Sequence, residues 1–105
     1  MGFLSNFFGG QSTSNLKSII DEGAYLVDVR TPSEFADGHV KGSVNIPLDT
    51  IANNLQKFSN KKNIIVFCRS GNRSGQAKVI LENNGIKNVT NGGAWIEVNN
   101  FVIKN

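Results

Sequence analysis

Residues 63–86, NIIVFCRSGNRSGQAKVILENNGI, set the chain's single cysteine, Cys68, between an apolar run and a stretch rich in Gly, Ser and Arg. A thiolate is a strong nucleophile. A free cysteine has a pKa of about 8.5, and a helix N-terminus and nearby cations bring it to about 3.5–7.5. The stretch after Cys68 offers both. Gly71 and Asn72 tolerate positive φ, so the N–H groups that follow can turn inward as an anion-binding nest. The helix beyond adds its N-terminal partial charge, and Arg69 and Arg73 flank the sulfur in sequence. Cys68 is therefore the candidate nucleophile, and Arg69, Ser70, Gly71, Asn72, Arg73 and Ser74 are the candidate substrate-binding residues for an anion. A lone cysteine is more commonly a small core hydrophobe, but one at a strand end, before a Gly/Arg loop and a helix, is placed for chemistry.

Other side chains invite a role and carry weaker cases. His39 suggests a Cys/His dyad, yet a lone histidine is more often a hydrogen-bonding core residue. Asp28 and Arg30 alternate along a strand end and are expected on opposite faces, one of them reaching the loop. Trp95, after Gly92-Gly93, is expected to pack and close the C-terminal end of the fold rather than line a pocket. Phe35 and Phe101 are core candidates. One cysteine makes no internal disulfide, and neither a CxxC pair nor a Cys/His cluster offers metal-ligand spacing. No metal and no cofactor is implied.

The elements that position these residues follow from periodicity. Leu16, Ile19 and Ile20 form one helical face, with Ser14 as N-cap and Gly23 as C-cap. AYLVDV is a buried strand. TPSEFADG predicts a helix of one to two turns, with Thr31 as N-cap, Pro32 in the first position, Glu34 closing a capping box and Gly38 as the stop. SVNIP is a short strand ended by proline, and LDTIANNLQKF keeps helical spacing at Leu48, Ile51, Leu55 and Phe58. NIIVF is a strand buried on both faces. A helix from Arg73 or Ser74 to Asn84 buries Ala77, Ile80 and Leu81 and stops at Gly85. IKNVTN is a fourth strand, followed by the glycine pair and a short helical tail around Trp95. Strands alternating with helices predict an α/β fold whose parallel sheet is flanked by helices on both faces.

At 105 residues, the chain has room for one core. Hydrophobic residues make up 39% and charged residues 18%, a globular composition. The net charge of +3 comes from scattered lysines, only Lys61 and Lys62 being adjacent, so no nucleic-acid partner is expected. The opening MGFLSNFFGGQ lacks the basic region of a signal peptide, and nothing approaches the roughly 20 apolar residues of a membrane span. No membrane partner is expected, and the cytoplasm is the default compartment. Phe3, Leu4, Phe7 and Phe8 suggest that residues 1–12 form an apolar segment packing on a domain of residues 13–105.

VDVRTPSEFADGHVKGSVNIPL, then VFCRSGNRSGQA, then GGAW resemble a rhodanese domain in order and spacing, from about Asn15 onward. The resemblance implies a single rhodanese-like domain with sulfurtransferase activity through a Cys68 persulfide. Thiosulfate is one donor it implies, with cyanide or a thiol, such as that of thioredoxin, as acceptor. It also implies that Arg69 and Arg73 hold the donor's oxyanion while loop N–H groups cradle the persulfide. Asp28 and Arg30 take supporting roles, with Asp28 near the loop and Arg30 paired with Glu34. Phosphatase-like and arsenate-reductase-like loops place arginine after Cys and five residues, where this chain has Ser74; the shorter loop suits a terminal sulfur. The alternative is a non-catalytic rhodanese-like module that binds a partner or senses redox state through Cys68.

Overall fold

An unbroken apolar strand can be buried only if both of its faces are covered, and that requirement organises the molecule. A computed structural model describes residues 13–103. Helix α1 (Thr13–Asp21) leads to β1 (Tyr25–Asp28), α2 (Pro32–Asp37) and β2 (Val44–Asn45). Two 3-10 helices (Leu48–Asn53 and Leu55–Phe58) precede β3 (Ile64–Cys68), α3 (Asn72–Asn83), β4 (Val89–Ala94) and α4 (Trp95–Ile103). The sheet order is β2-β1-β3-β4 and every pairing is parallel.

Strand β3 is central and buried throughout. Ile64, Val66 and Cys68 point into a core under α3 and the 3-10 helices, together with Val27, Ile51, Phe58 and Leu81. Ile65 and Phe67 point to the other face, where α1 and α4 cover them with Val98 and Trp95. Each such apolar side chain removed from water contributes about 1.5–3 kcal/mol. The two-faced burial expected of NIIVF is what the structure has, and it puts Cys68 at the carboxyl end of the most enclosed strand. Among the described residues no helix is long and apolar enough to cross a membrane.

The structure departs from the sequence expectations at several elements. The run Leu48–Phe58 is two 3-10 helices rather than one α-helix, broken at Asn54. Thr50 Oγ1 donates to the Pro47 carbonyl and Asn54 Nδ2 to the Thr50 carbonyl, both at 2.8 Å. These side chains compete for the backbone groups an α-helix would use. Helix α1 begins at Thr13, so Ser14 lies within its first turn rather than at the cap. Helix α3 begins at Asn72 with Gly71 as its cap, and α4 is a nine-residue helix rather than a short tail. His39 is exposed, its ring stacked on Phe35 at 3.8 Å, so it is not a core residue. Phe35 and Phe101 are half-buried. The apolar segment expected at residues 1–12 lies outside the described residues.

The glycine pair lies inside β4 rather than after it. Val66 pairs with Asn91 but Phe67 pairs with Gly93, which leaves Gly92 as the extra residue of a β-bulge. A Cβ on Gly92 would lie 2.8 Å from Ile65 Cγ2 and 3.1 Å from Val98 Cγ2. Gly93 takes the left-handed region, with φ 80°. Gly92→Ala is accordingly expected to lower stability by about 1–3 kcal/mol through overpacking, read as a lower midpoint in thermal unfolding; an unchanged midpoint would show that Ile65 and Val98 can yield.

Candidate active site

The site forms where β3 runs out. Gly71, three residues past Cys68, adopts φ 102°, which turns its N–H back to donate to Cys68 Sγ at 3.0 Å. Ser74, in the first turn of α3 and fully buried, places Oγ 3.5 Å from Sγ. Cys68 lies within the core, at 1% exposure for the residue. Burial pushes the Cys68 thiol up, but the Ser74 hydroxyl and the N–H groups of Ser74, Ser70 and Gly71 outweigh it and hold the pKa below the usual cysteine value. The arrangement favours a thiolate stabilised by neutral donors.

A residue that sequence reasoning missed, Asn91, holds this cage. Ser74 Oγ donates to Asn91 Oδ1 at 2.7 Å, and Gly93 N–H donates to the same oxygen at 3.0 Å. Asn91 Nδ2 donates to the Gly71 carbonyl at 3.2 Å, tying the loop to β4. The single hydroxyl proton of Ser74 thus has two acceptors in reach, Asn91 Oδ1 and a Cys68 thiolate. The available signal was one amide residue at the carboxyl end of a strand next to β3, directly before two glycines.

The expected loop residues separate into groups. Gly71 and Ser74 touch the sulfur; Ser70 acts on it through its backbone N–H. Asn72 is exposed and its Oδ1 accepts from Gln76 Nε2 at 2.9 Å, so its side chain turns away from the sulfur. Arg69 is exposed beside a cleft of about 360 Å³ that Arg30, Glu34, Asp37 and Trp95 also line. Trp95 therefore both packs on the core and lines a pocket. Arg73 does not stand open for a ligand: Nη1 and Nη2 donate to the two oxygens of Glu34 at 2.7 and 3.0 Å.

Glu34 is the second residue missed as part of the site. Its capping box is present: Glu34 N–H donates to Thr31 Oγ1, and Thr31 N–H donates to Glu34 Oε1 at 3.0 Å. The same carboxylate then reaches across to α3. The Arg73 hydrogen bonds, with that from the Thr31 backbone, lower its pKa from 4.5 to about 2. A carboxylate whose folded value lies below its unfolded one stabilises the fold above about 4.5, and that contribution is lost as pH falls toward about 2.

Asp28 and Arg30 are not on opposite faces. Residues two apart on a strand share a face, and these two form a buried pair: Arg30 Nη2 donates to Asp28 Oδ2 at 2.6 Å and Nε donates to Oδ1 at 2.9 Å. Arg30 also donates to the Gly38 carbonyl at 2.7 Å and stacks over Trp95 at 4.5 Å. It does not pair with Glu34, and neither member bonds to Cys68. The pair ties the end of β1 to the C-terminal end of α2, the helix that carries Glu34. His39 Nδ1 lies 2.8 Å from the Phe35 carbonyl, so no Cys/His dyad forms. No cluster of His, Cys, Asp and Glu among the described residues could hold a metal.

A buried cysteine whose pKa is lowered by the hydrogen-bond donors of the loop that follows it, at the carboxyl edge of a parallel sheet, marks the candidate site of a small α/β domain. Comparison with known proteins gives the class its family. The model of the rhodanese-like domain matches residues 12–93, and the chain belongs to that family. It is 39% identical over 76 residues to the thiosulfate sulfurtransferase PspE of Escherichia coli, covering 70% of this chain and 73% of that one. It is 32% identical over 95 residues to the thiosulfate:glutathione sulfurtransferase of Saccharomyces cerevisiae, covering 75% and 68%. A mitochondrial relative from Schizosaccharomyces pombe is 36% identical over 91 residues, 73% of this chain and 64% of its own length. Among solved structures, a rhodanese with anions from E. coli superposes with a TM-score of 0.65 at 35% identity, covering 71% of this chain and 91% of that one. The human single-domain sulfurtransferase TSTD1 gives 0.66 at 28% identity, covering 82% and 90%.

Two outcomes follow from this geometry. Ser74→Ala removes a donor to the charged sulfur, so the thiol pKa rises; iodoacetamide alkylation of Cys68 should slow at about pH 6–7 and match wild type above about pH 9–10, where both sulfurs are ionised. An unchanged profile would mean that the hydroxyl does not act on the sulfur. Arg30→Met leaves the buried Asp28 charge unpaired and should cost about 3–5 kcal/mol in urea unfolding, a loss that Asp28→Leu in the same chain should largely restore.

Proposed function

We propose that the protein is a sulfurtransferase that carries sulfane sulfur as a Cys68 persulfide. The observation that carries this reading is the Cys68 sulfur itself, buried and yet supplied with the Gly71 N–H at 3.0 Å and the Ser74 hydroxyl at 3.5 Å. A thiolate in that cage needs no general base. It attacks the outer sulfur of a donor such as thiosulfate, the S–S bond of the donor breaks, and sulfite leaves with the bonding electron pair. The new persulfide then passes its terminal sulfur to cyanide or to a thiol, and Cys68 thiolate returns. The sequence is covalent catalysis in two half-reactions, with ping-pong kinetics expected.

The names of the E. coli and S. cerevisiae relatives support thiosulfate as donor and a thiol as acceptor. A free, ionised thiol is best kept in a reducing compartment, and the cytoplasm fits. A thiol protein of the thioredoxin kind is the macromolecular acceptor we favour. Use of the loop as a clamp for a tetrahedral oxyanion is disfavoured, because the guanidinium of Arg73 is taken by Glu34. A redox sensor or binding module would keep the same thiolate without turning over.

Intact-mass spectrometry after incubation with thiosulfate separates these readings. Wild type should gain one sulfur, about 32 Da, that cyanide removes, and Cys68→Ala should gain none. A folded wild-type protein that takes no sulfur from thiosulfate or from an organic persulfide would favour the sensor or binding module.

A further inference from the structure

The loop carries two arginines, and the structure treats them differently. Arg69 is exposed, whereas Arg73 presents both terminal nitrogens to one carboxylate. A guanidinium fork facing a planar anion is the geometry by which arginine would grip a donor's oxyanion. Here the anion is already present and is part of the chain.

Glu34 is also held from behind. Its Oε1 accepts from Thr31 N–H at 3.0 Å and from Thr31 Oγ1 at 3.1 Å, within the capping box of α2. Helix α2 is itself tied at its far end, where Arg30 bonds the Gly38 carbonyl. Moving Glu34 out of the fork therefore gives up several hydrogen bonds together. The carboxylate stays charged at any working pH, its value being lowered to about 2 chiefly by Arg73.

We propose that Glu34 sets donor specificity in this site by occupying the Arg73 fork, so that donors bearing a sulfonate-type oxyanion are penalised relative to organic persulfides. The proposal rests on the sulfur-transfer reading and concerns which donor that chemistry takes. Thiosulfate brings a charged SO₃ group that must displace Glu34, or bind through Arg69 alone while facing a fixed carboxylate. An organic persulfide brings no such group to its reacting bond. Cys68 thiolate takes its outer sulfur, the S–S bond breaks, and the thiolate that leaves carries the electron pair and is protonated by solvent. Glu34 touches no reacting atom and acts through Arg73, so it is a positioning residue for specificity.

The test measures KM and kcat for sulfur transfer to cyanide with two donors, thiosulfate and glutathione persulfide, on the full chain and on Glu34→Gln. Glutamine keeps the acceptor oxygen of the capping box and removes the charge from the fork. The expected result is a thiosulfate KM lowered roughly threefold to tenfold, with kcat little changed and the KM for glutathione persulfide moving less than about twofold. Arg73→Gln added to Glu34→Gln should abolish the gain. Glu34→Ala, which empties the fork outright, should give the same donor-selective shift if the glutamine variant folds poorly. Equal shifts for both donors, a fall in kcat alone, or an unmoved thiosulfate KM would overturn the proposal. A wild-type protein inert with both donors would instead overturn the sulfur-transfer reading, and this inference with it.

Discussion

A cysteine sulfur buried in the core, its pKa held below the usual value by neutral hydrogen-bond donors, is the constraint on which the rest of the structure depends. Cys68 belongs to the apolar layer beneath α3, and its sulfur accepts from the Gly71 N–H and lies 3.5 Å from the Ser74 hydroxyl, both neutral groups. Dipoles can do this only when fixed in place, because a donor that drifts leaves the charge to desolvation. Gly71 N–H points at Sγ because the residue sits at φ 102°. That turn brings the loop against β4, where a Cβ on Gly71 would lie 3.4 Å from Gly93 Cα. The bulge at Gly92 and the amide of Asn91 then follow as the means by which β4 meets the loop closely and holds it there.

Two ion pairs stand around the strand ends. Asp28 and Arg30 neutralise each other in the core, and Glu34 and Arg73 do so at its rim. The buried pair is the more demanding, since each member would be costly alone; the second Arg30 hydrogen bond, to the Gly38 carbonyl, and its stacking on Trp95 use the rest of the guanidinium. Its product is geometrical rather than catalytic. By tying the end of β1 to the C-terminal end of α2 and to the start of α4, it fixes three elements around the strand ends.

Features encoded by neighbours in sequence were legible: the apolar run of β3, the Gly/Ser/Arg loop after Cys68, and the capping box from Thr31 to Glu34. The parallel α/β fold followed from their alternation. Asn91 and the Glu34–Arg73 contact were not legible, because each joins residues far apart: 17 positions between Ser74 and Asn91, and 39 between Glu34 and Arg73. Glu34 was further obscured by having a sufficient local use in its cap. The Asp28–Arg30 pair differs, since the two-residue period of a strand already puts both on one side, and only the expectation of opposite faces hid it. At Leu48–Phe58 the apolar spacing was correct, but Thr50 and Asn54 side chains bonding to the backbone tightened the helix and broke it.

The loop length itself explains where the guanidinium goes. Helix α3 begins at Asn72, so residues 73 and 74 are consecutive helical positions and their side chains diverge by about 100° around the axis. Position 74 faces the sulfur and is fully buried; it holds serine, small enough to fit between Sγ and Asn91. Position 73 is rotated away, toward α2, and an arginine there meets Glu34 across the rim. One residue more in the loop would have put an arginine over the sulfur. With this spacing the sulfur keeps neutral hydrogen-bond partners, and the Arg73 guanidinium is held by Glu34 instead.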